Sequence, residues 1–299
     1  MQTGALRYIV GRVLTALLLV FVVSSASFVL ARIAPGDHLS GFEDDPAYAA
    51  AERHRLGLDR PMSAQYVSWL ARGLRLDFGE SLRFRRPVTV LLRERAWNTA
   101  LLGVCALLLA TALGIPLGVL SGSGHGALPS LVRGTSLVLL SIPPLITSLV
   151  LMLAAVRLHL QLPRVVLPTL ALALPIAALL ERLQSRSLDE ALREPSIVAA
   201  VGRGIPRSRV VWRHGLRLSL KPVLAIYGVI VGGVLSGSFV VEIVMGWPGL
   251  GDLMYEALVS RDLYLVAGCA AAVSVFLAGG ILLADLALLA VDPRIEGST

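Results

Sequence analysis

Apolar positions in this chain fall in long blocks, separated by charged intervals, rather than at the period of an amphipathic helix or strand. Six windows, 13–31, 96–120, 134–156, 165–180, 223–241 and 263–284, contain no Asp, Glu, Lys or Arg. Crossing a bilayer takes about 20 apolar residues in helical form, and a helix satisfies its own backbone in lipid. The fourth window is the shortest, and Arg164 and Arg182 extend it by reaching for the headgroups. The pattern predicts an all-α membrane protein with six transmembrane helices. The first window is too long for a signal-peptide core and lacks a good small-residue cleavage site, so it is read as a true helix.

The blocks suggest three parts: 1–33, the N-terminus and first span; 34–95, an extracytoplasmic segment; and 96–299, five spans with a polar interval at 182–221. With the N-terminus inside, the inner side holds thirteen Lys or Arg, nine of them in the 182–221 interval. The short outer segments hold three, Arg157, Arg164 and Arg261. The positive-inside bias then places both termini in the cytoplasm. Residues 34–95 carry ten Arg and nine acids, near neutrality, so they add nothing to the bias. Apolar and basic residues alternate over 74–95, and an amphipathic helix along the membrane surface is expected there.

Composition agrees. Of 299 residues, 56% are hydrophobic and 16% charged, and the mean hydropathy is +0.76. A net charge of +7 in a soluble protein would raise nucleic-acid binding; basic cytoplasmic loops account for it here, and no nucleic-acid partner is expected. Cys105 and Cys269 lie inside spans and read as packing residues. The P-loop pattern, H-E-x-x-H, C-x-x-C and G-x-S-x-G are all missing, and the five histidines are scattered over four loops. No enzymatic activity, metal or cofactor is expected on this chain. Energy for uphill transport would have to come from another subunit.

Within the spans, Ser141-Ile142-Pro143-Pro144, Pro168 and Pro175 either bend helices or line a polar pathway. Gly228, Gly232 and Ser236, with Gly233 and Gly237 beside them, form small-residue rows for close packing, within the subunit or against a partner. Glu242 and Asp285 sit near span ends, where interfacial solvation or a structural ion pair competes with a functional role. An ion-coupled secondary transporter would need midplane charges and internal repeats, and neither is apparent.

The polar interval is patterned. Pro195–Val201 suits a short helix: proline is tolerated in the first turn, alanine favours helix, and Gly202 and Gly204 can end it. A second helix is expected from Pro206 to Lys221, with Pro222 opening the fifth span. Together they make a rigid projecting knob.

Ala199-Ala200-x-x-x-Gly204, eighteen residues ahead of Pro222, resembles the E-A-A-x-x-x-G loop of binding-protein-dependent ABC importer permeases. The chain is most similar to the B-type subunit of their dipeptide/oligopeptide/nickel branch. The resemblance runs through Leu6–Arg12, Ala31–Asp37, Leu56–Pro61, Asp77–Leu82, Arg86-Pro87-Val88 and Ser141–Pro144. It continues through Leu167–Pro175, His214–Arg217, Trp247–Gly251 and Asp292-Pro293-Arg294. Val198 stands where the pattern has Glu, Ser196 where the branch often has an aromatic, and Val201-Gly202 where Arg-Ala is usual.

The resemblance implies a type I ABC importer permease fold in a bacterial inner membrane. It implies a sister permease forming a heterodimer, two ATP-binding subunits carrying ATP and Mg, and an extracytoplasmic solute-binding protein. Pro195, Ser196, Ile197, Val198, Ala199, Ala200, Gly202, Arg203 and Gly204 would couple to the ATPase, Ala199 and Ala200 packing into its groove. Ser141, Pro143, Ser236, Ser238 and Glu242 are candidate pathway residues. Di- or oligopeptides are the expected cargo, with nickel or metal chelates and sugars as alternatives.

Overall fold

A computed structural model describes residues 2–33, 51, 54–55, 59–124 and 126–291. The motif stretches at 34–37, 56–58 and 292–294 lie outside the described residues. The helices are α1 (Gln2–Ile33), α2 (Met62–Gly73), α3 (Val88–Gly122), α4 (Ala127–Ser141) and α5 (Pro144–Arg157). They continue with α6 (Val166–Leu192), α7 (Pro195–Gly202), α8 (Leu216–Ala225), α9 (Tyr227–Met245), α10 (Leu250–Val259) and α11 (Leu263–Val291).

Five of them, α1 from Ile9 onward, α3, α6, α9 and α11, are long and apolar enough to cross a membrane. The third expected span is broken: α4 and α5 meet at 105°, and they make a sixth crossing only if the bent pair counts as one span. The break falls at Ile142-Pro143. Pro143 forces the residue before it out of the helical region, and Ile142 is extended (φ −97°, ψ 117°). Pro144 then takes the first position of α5, where its missing N–H costs nothing.

The chain divides into two compact units, Met1–Val13 with Ala100–Trp247 and Gly279–Thr299, and Leu14–Thr99 with Pro248–Ala278.

In the first unit, α6 is the central helix, packed by α4, α5, α8 and α9. It is also approached closely by α3. Ala106, Ala110, Gly114, Gly118 and Gly122 recur every four residues down one side of α3, and the two alanines are fully buried. A methyl group on Gly114 would come within 2.6 Å of the Ala177 carbonyl oxygen. One on Gly118 would lie 2.6 Å from Gln184 Cβ, and one on Gly122 2.5 Å from the Ser185 carbonyl oxygen. The two backbones therefore touch, as small residues at four-residue spacing permit. Of the glycine rows expected in α9, Gly237 meets Leu172 and Pro144 and Gly228 faces α11, whereas Gly233 has nothing within 4 Å and Ser236 is exposed; Gly280 of α11 faces Val231 of α9. Arg12 pairs with Asp285 at 3.2 Å, so Asp285 is the structural ion pair that was one of its two readings.

In the second unit, Phe28, Trp69, Val88, Leu253 and Leu265 form the core, with Phe28 stacked on Trp69 at 5.0 Å. Asp262, fully buried, holds it together. It caps α11 by accepting from the Leu265 N–H (3.2 Å). It also accepts from Ser81 Oγ (2.6 Å) and the Arg83 N–H (3.2 Å).

That contact explains a departure from expectation. Of 74–95, where a surface helix was anticipated, only the part from Val88 onward is helical, and it is the start of α3. Leu76, Gly79 and Arg85 all take positive φ (58°, 85°, 48°), and Pro87 ends the turn region, so 74–87 is a folded loop closed by a Glu80–Pro87 bridge. The helix of this segment is α2, which turns Gln65 and Trp69 inward. Nearby, Arg95 and Asp252 pair at 3.1 Å with side chains only 23% and 22% exposed. Burial pushes the Asp252 carboxyl above its ordinary value, and Arg95 pulls it back.

Two stability predictions follow from these contacts. Replacing Gly118 by Val overpacks the α3–α6 contact and should cost about 1–3 kcal/mol. Gly134→Ala, where nothing lies within 4 Å, should leave the thermal midpoint of the purified chain unchanged or slightly raised. Equal midpoints for the two variants would contradict the backbone contact. Asp262→Ala removes a cap and orphans the Ser81 and Arg83 donors, and should cost ~2–4 kcal/mol in the same measurement. A loss no larger than that of an exposed Asp77→Ala would argue against the hub.

Candidate coupling segment and pathway residues

The polar interval is mostly helix. α6 does not stop at the apolar boundary but runs on through Arg182 to Leu192, because Leu188 and Ala191 remain buried one turn after another beyond it. Leu188 packs with Val119 of α3 and with Val211, flanked by Leu192 and Leu216. This small apolar cluster fastens the interval to the end of the span bundle.

Glu194 is extended, as a residue before proline prefers, and Pro195 begins α7. The helix ends as a Schellman turn. The Gly204 N–H reaches the Val201 carbonyl (2.9 Å) and the Ile205 N–H reaches the Ala200 carbonyl (3.3 Å), with Gly204 left-handed at φ 79°. Gly202 lies in the last turn of the helix with ordinary φ, so Gly204 alone makes the expected turn.

The face that α7 presents differs from expectation at two positions. Ile197 and Ala200, three apart, are both buried against this chain. Ala200 is turned inward while Ala199 is exposed. Pro195, Ser196, Val198, Ala199, Val201, Gly202 and Arg203 are exposed, Val198 to 59% and Val201 to 56%.

After Pro206, one turn at Arg207–Arg209 leads into a π-helical stretch, Val210–Gly215, and then α8. The wider π turn brings Val210, Val211 and Gly215 inward, where a methyl on Gly215 would lie 3.0 Å from Leu188 Cδ1. Pro222 lies inside α8 instead of opening the fifth span. That span begins after a break at Ile226, once α8 has run past the residues whose backbone bonds the proline disturbs.

Polar contacts tie these pieces to the spans. Gln184 donates to Ser219 Oγ at 2.6 Å, linking α6 to α8. Arg207 donates to the Ser123 carbonyl (2.9 Å) and Arg133 to that of Ser121 (3.3 Å), so two cations satisfy carbonyls at the end of α3. Ser121 Oγ donates to Glu181 Oε1, and Glu181 is buried although it borders the polar interval.

The candidate pathway residues are not gathered on one surface. Ser238 and Glu242, four apart on α9, share its buried side. Ser141 and Pro143 are exposed at the α4–α5 break, and Ser236 is exposed on α9. Pro144 does meet α9, its Cγ lying 3.6 Å from where a Gly237 methyl would stand. Sequence reasoning missed Ser121, Glu181 and Gln184. The four-residue row of Gly114, Gly118 and Gly122 was the signal that could have located them.

Five or six helices long and apolar enough to cross a membrane, with a helical segment between two of them, define a polytopic membrane protein. The chain belongs to the binding-protein-dependent transport system inner membrane component family, whose model matches residues 114–297, with the corresponding N-terminal model over 5–80. It is 32% identical to the oligopeptide transport system permease protein AppB of Bacillus subtilis, covering 97% of this chain and 99% of the relative. The glutathione transport system permease protein GsiC of Pectobacterium atrosepticum is 32% identical, with 97% and 99% covered. The dipeptide transport system permease protein DppB of Bacillus subtilis is 30% identical, with 97% and 98% covered. The protein is a multi-pass permease subunit of an ABC transport system, and membership implies ATPase and binding-protein partners.

Proposed function

We propose that this chain forms half of the translocation pathway of an ATP-driven importer for di- or oligopeptides. The reading is supported by end-to-end similarity to permeases named for oligopeptides, dipeptides and glutathione. A sister permease completes a heterodimer in the bacterial inner membrane, with both termini in the cytoplasm. A solute-binding protein delivers cargo from outside. ATP and Mg sit on two separate ATPase subunits, and this chain catalyses no reaction of its own.

The exposed face of α7, including Val198, Ala199 and Gly202, docks on an ATPase. Closure of the ATPases displaces α7 as a rigid body. The Leu188–Val211 cluster carries that motion to α6, and the Gln184–Ser219 bond carries it to α8. The outcome is a switch between inward- and outward-facing arrangements. Val198 and Val201 give the docking face an apolar character where relatives of the E-A-A type carry polar side chains.

The assignment is tested by ATP-dependent peptide uptake into liposomes holding both permeases, the ATPases and the binding protein. Gly204→Val forces a β-branched residue into left-handed backbone, at about 1–2 kcal/mol, and should abolish uptake while membrane insertion persists. Gly204→Asn, which tolerates that conformation, should retain most of it. Normal peptide-stimulated ATP hydrolysis by the valine variant would overturn the coupling role. Uptake without the sister permease would overturn the heterodimer. A cognate binding protein that prefers a metal chelate or sugar would overturn the peptide assignment.

A further inference from the structure

α4 and α6 enclose a cavity of about 190 Å³ at the level where the apolar part of α6 gives way to its charged end. Arg133 and Leu137 line it from α4, and Arg182 and Arg186 from α6. Three arginines against one glutamate, Glu181, give the wall a net charge of +2 (3 − 1). Glu181 accepts the Ser121 hydroxyl on its α3 side. Among the described residues, Arg182 and Arg186 pair with no carboxylate. They lie four apart and so on one face of the helix.

The inner wall of the cavity is mostly apolar, with Arg133, Arg182 and Arg186 around it. Arg182 and Arg186, without a carboxylate partner among the described residues, offer guanidinium forks of the kind that grip phosphate oxygens in pairs. The position selects the carrier. Arg133 immediately precedes the apolar window 134–156 and Arg182 follows the window 165–180, which puts both at the border where headgroups lie, with Arg186 one turn further out. Leu137 makes part of the wall apolar, and Leu131 and Val138 on the same helix are exposed for acyl chains to cover. Basic pockets between transmembrane helices at this depth fit anionic headgroups.

We propose that this cavity is a binding site for the phosphate of an anionic phospholipid, held by Arg182, Arg186 and Arg133. The lipid fills the space beside the α4–α5 break and braces α4 against α6, a role separate from coupling or cargo recognition.

Native mass spectrometry of the delipidated chain, titrated with phosphatidylglycerol or phosphatidylcholine, tests it directly. The wild type should retain phosphatidylglycerol in preference to phosphatidylcholine. R182Q/R186Q should bind it about 30-fold more weakly, each arginine near a charged surface contributing ~1 kcal/mol. R157Q/R164Q, altered away from the cavity, should bind as wild type. R182K/R186K keeps the charge and should stay within about tenfold of wild type, which covers a glutamine pair that fails to fold. Glycerol phosphate at millimolar concentration should not displace the lipid, and displacement would identify a soluble phosphate as the ligand instead. Equal retention of the two lipids, or unchanged retention by R182Q/R186Q, would overturn the proposal. So would an acidic peptide of the sister permease occupying the cavity in the assembled complex.

Discussion

The structure of the first unit depends on the backbone contact between α3 and α6. Between helices in lipid there is little hydrophobic drive, because the surroundings are as apolar as the side chains. Cohesion has to come from close fit, and Gly114, Gly118 and Gly122 bring α3 onto the backbone of α6 without side chains between them. At that distance Ser121 reaches Glu181 and removes an otherwise costly buried carboxylate from isolation. The end of α3 is likewise placed where Arg133 and Arg207 can satisfy its carbonyls. A single larger residue in the glycine row would separate all three contacts together.

The coupling segment is therefore not an appendage hung on the membrane domain. Leu188 continues the buried stripe of α6 past the apolar boundary, and Val119 and Val211 close over it. Such a cluster is stiff because it is packed, and it anchors the rigid knob that the sequence pattern leads one to expect. The π-helical turn at Val210–Gly215 belongs to the same arrangement, since its wider coil points Gly215 toward Leu188. The second unit solves a similar problem differently, with one carboxylate, Asp262, joining a loop to a helix start.

Much of this was legible in the sequence. Blocks free of charge located the spans, since lipid punishes charge wherever it falls. Pro195 and Gly204 located α7 to within a residue, since both act on the backbone locally. The 105° break was marked by Pro143-Pro144, although two prolines fix a place and not an angle. What stayed hidden depended on distant partners. Glu181 looked like the rim of a loop because nothing nearby reveals that Ser121, sixty positions earlier, accommodates it. Asp262 meets Ser81 across 181 positions. The continuation of α6 was obscured by its charged outer face, which drew more notice than the apolar stripe beneath. The inward turn of Ala200 follows from helical period once Ile197 is known to be buried, and the motif alone does not say which alanine faces out.

The shape of α7 is written at its two ends, Pro195 and Gly204; Gly204 is held by its left-handed backbone and its bond to the Val201 carbonyl, while a methyl there would meet nothing within 4 Å. The face between is accordingly free to change composition without refolding. Val198 and Val201 occupy positions where the E-A-A-x-x-x-G pattern has Glu and usually Arg, and the turn at Gly204 is formed all the same. A docking element built this way behaves as an address whose lettering can be rewritten on a fixed plate. Substitutions on that face leave the turn at Gly204 and the Leu188–Val211 cluster behind it untouched.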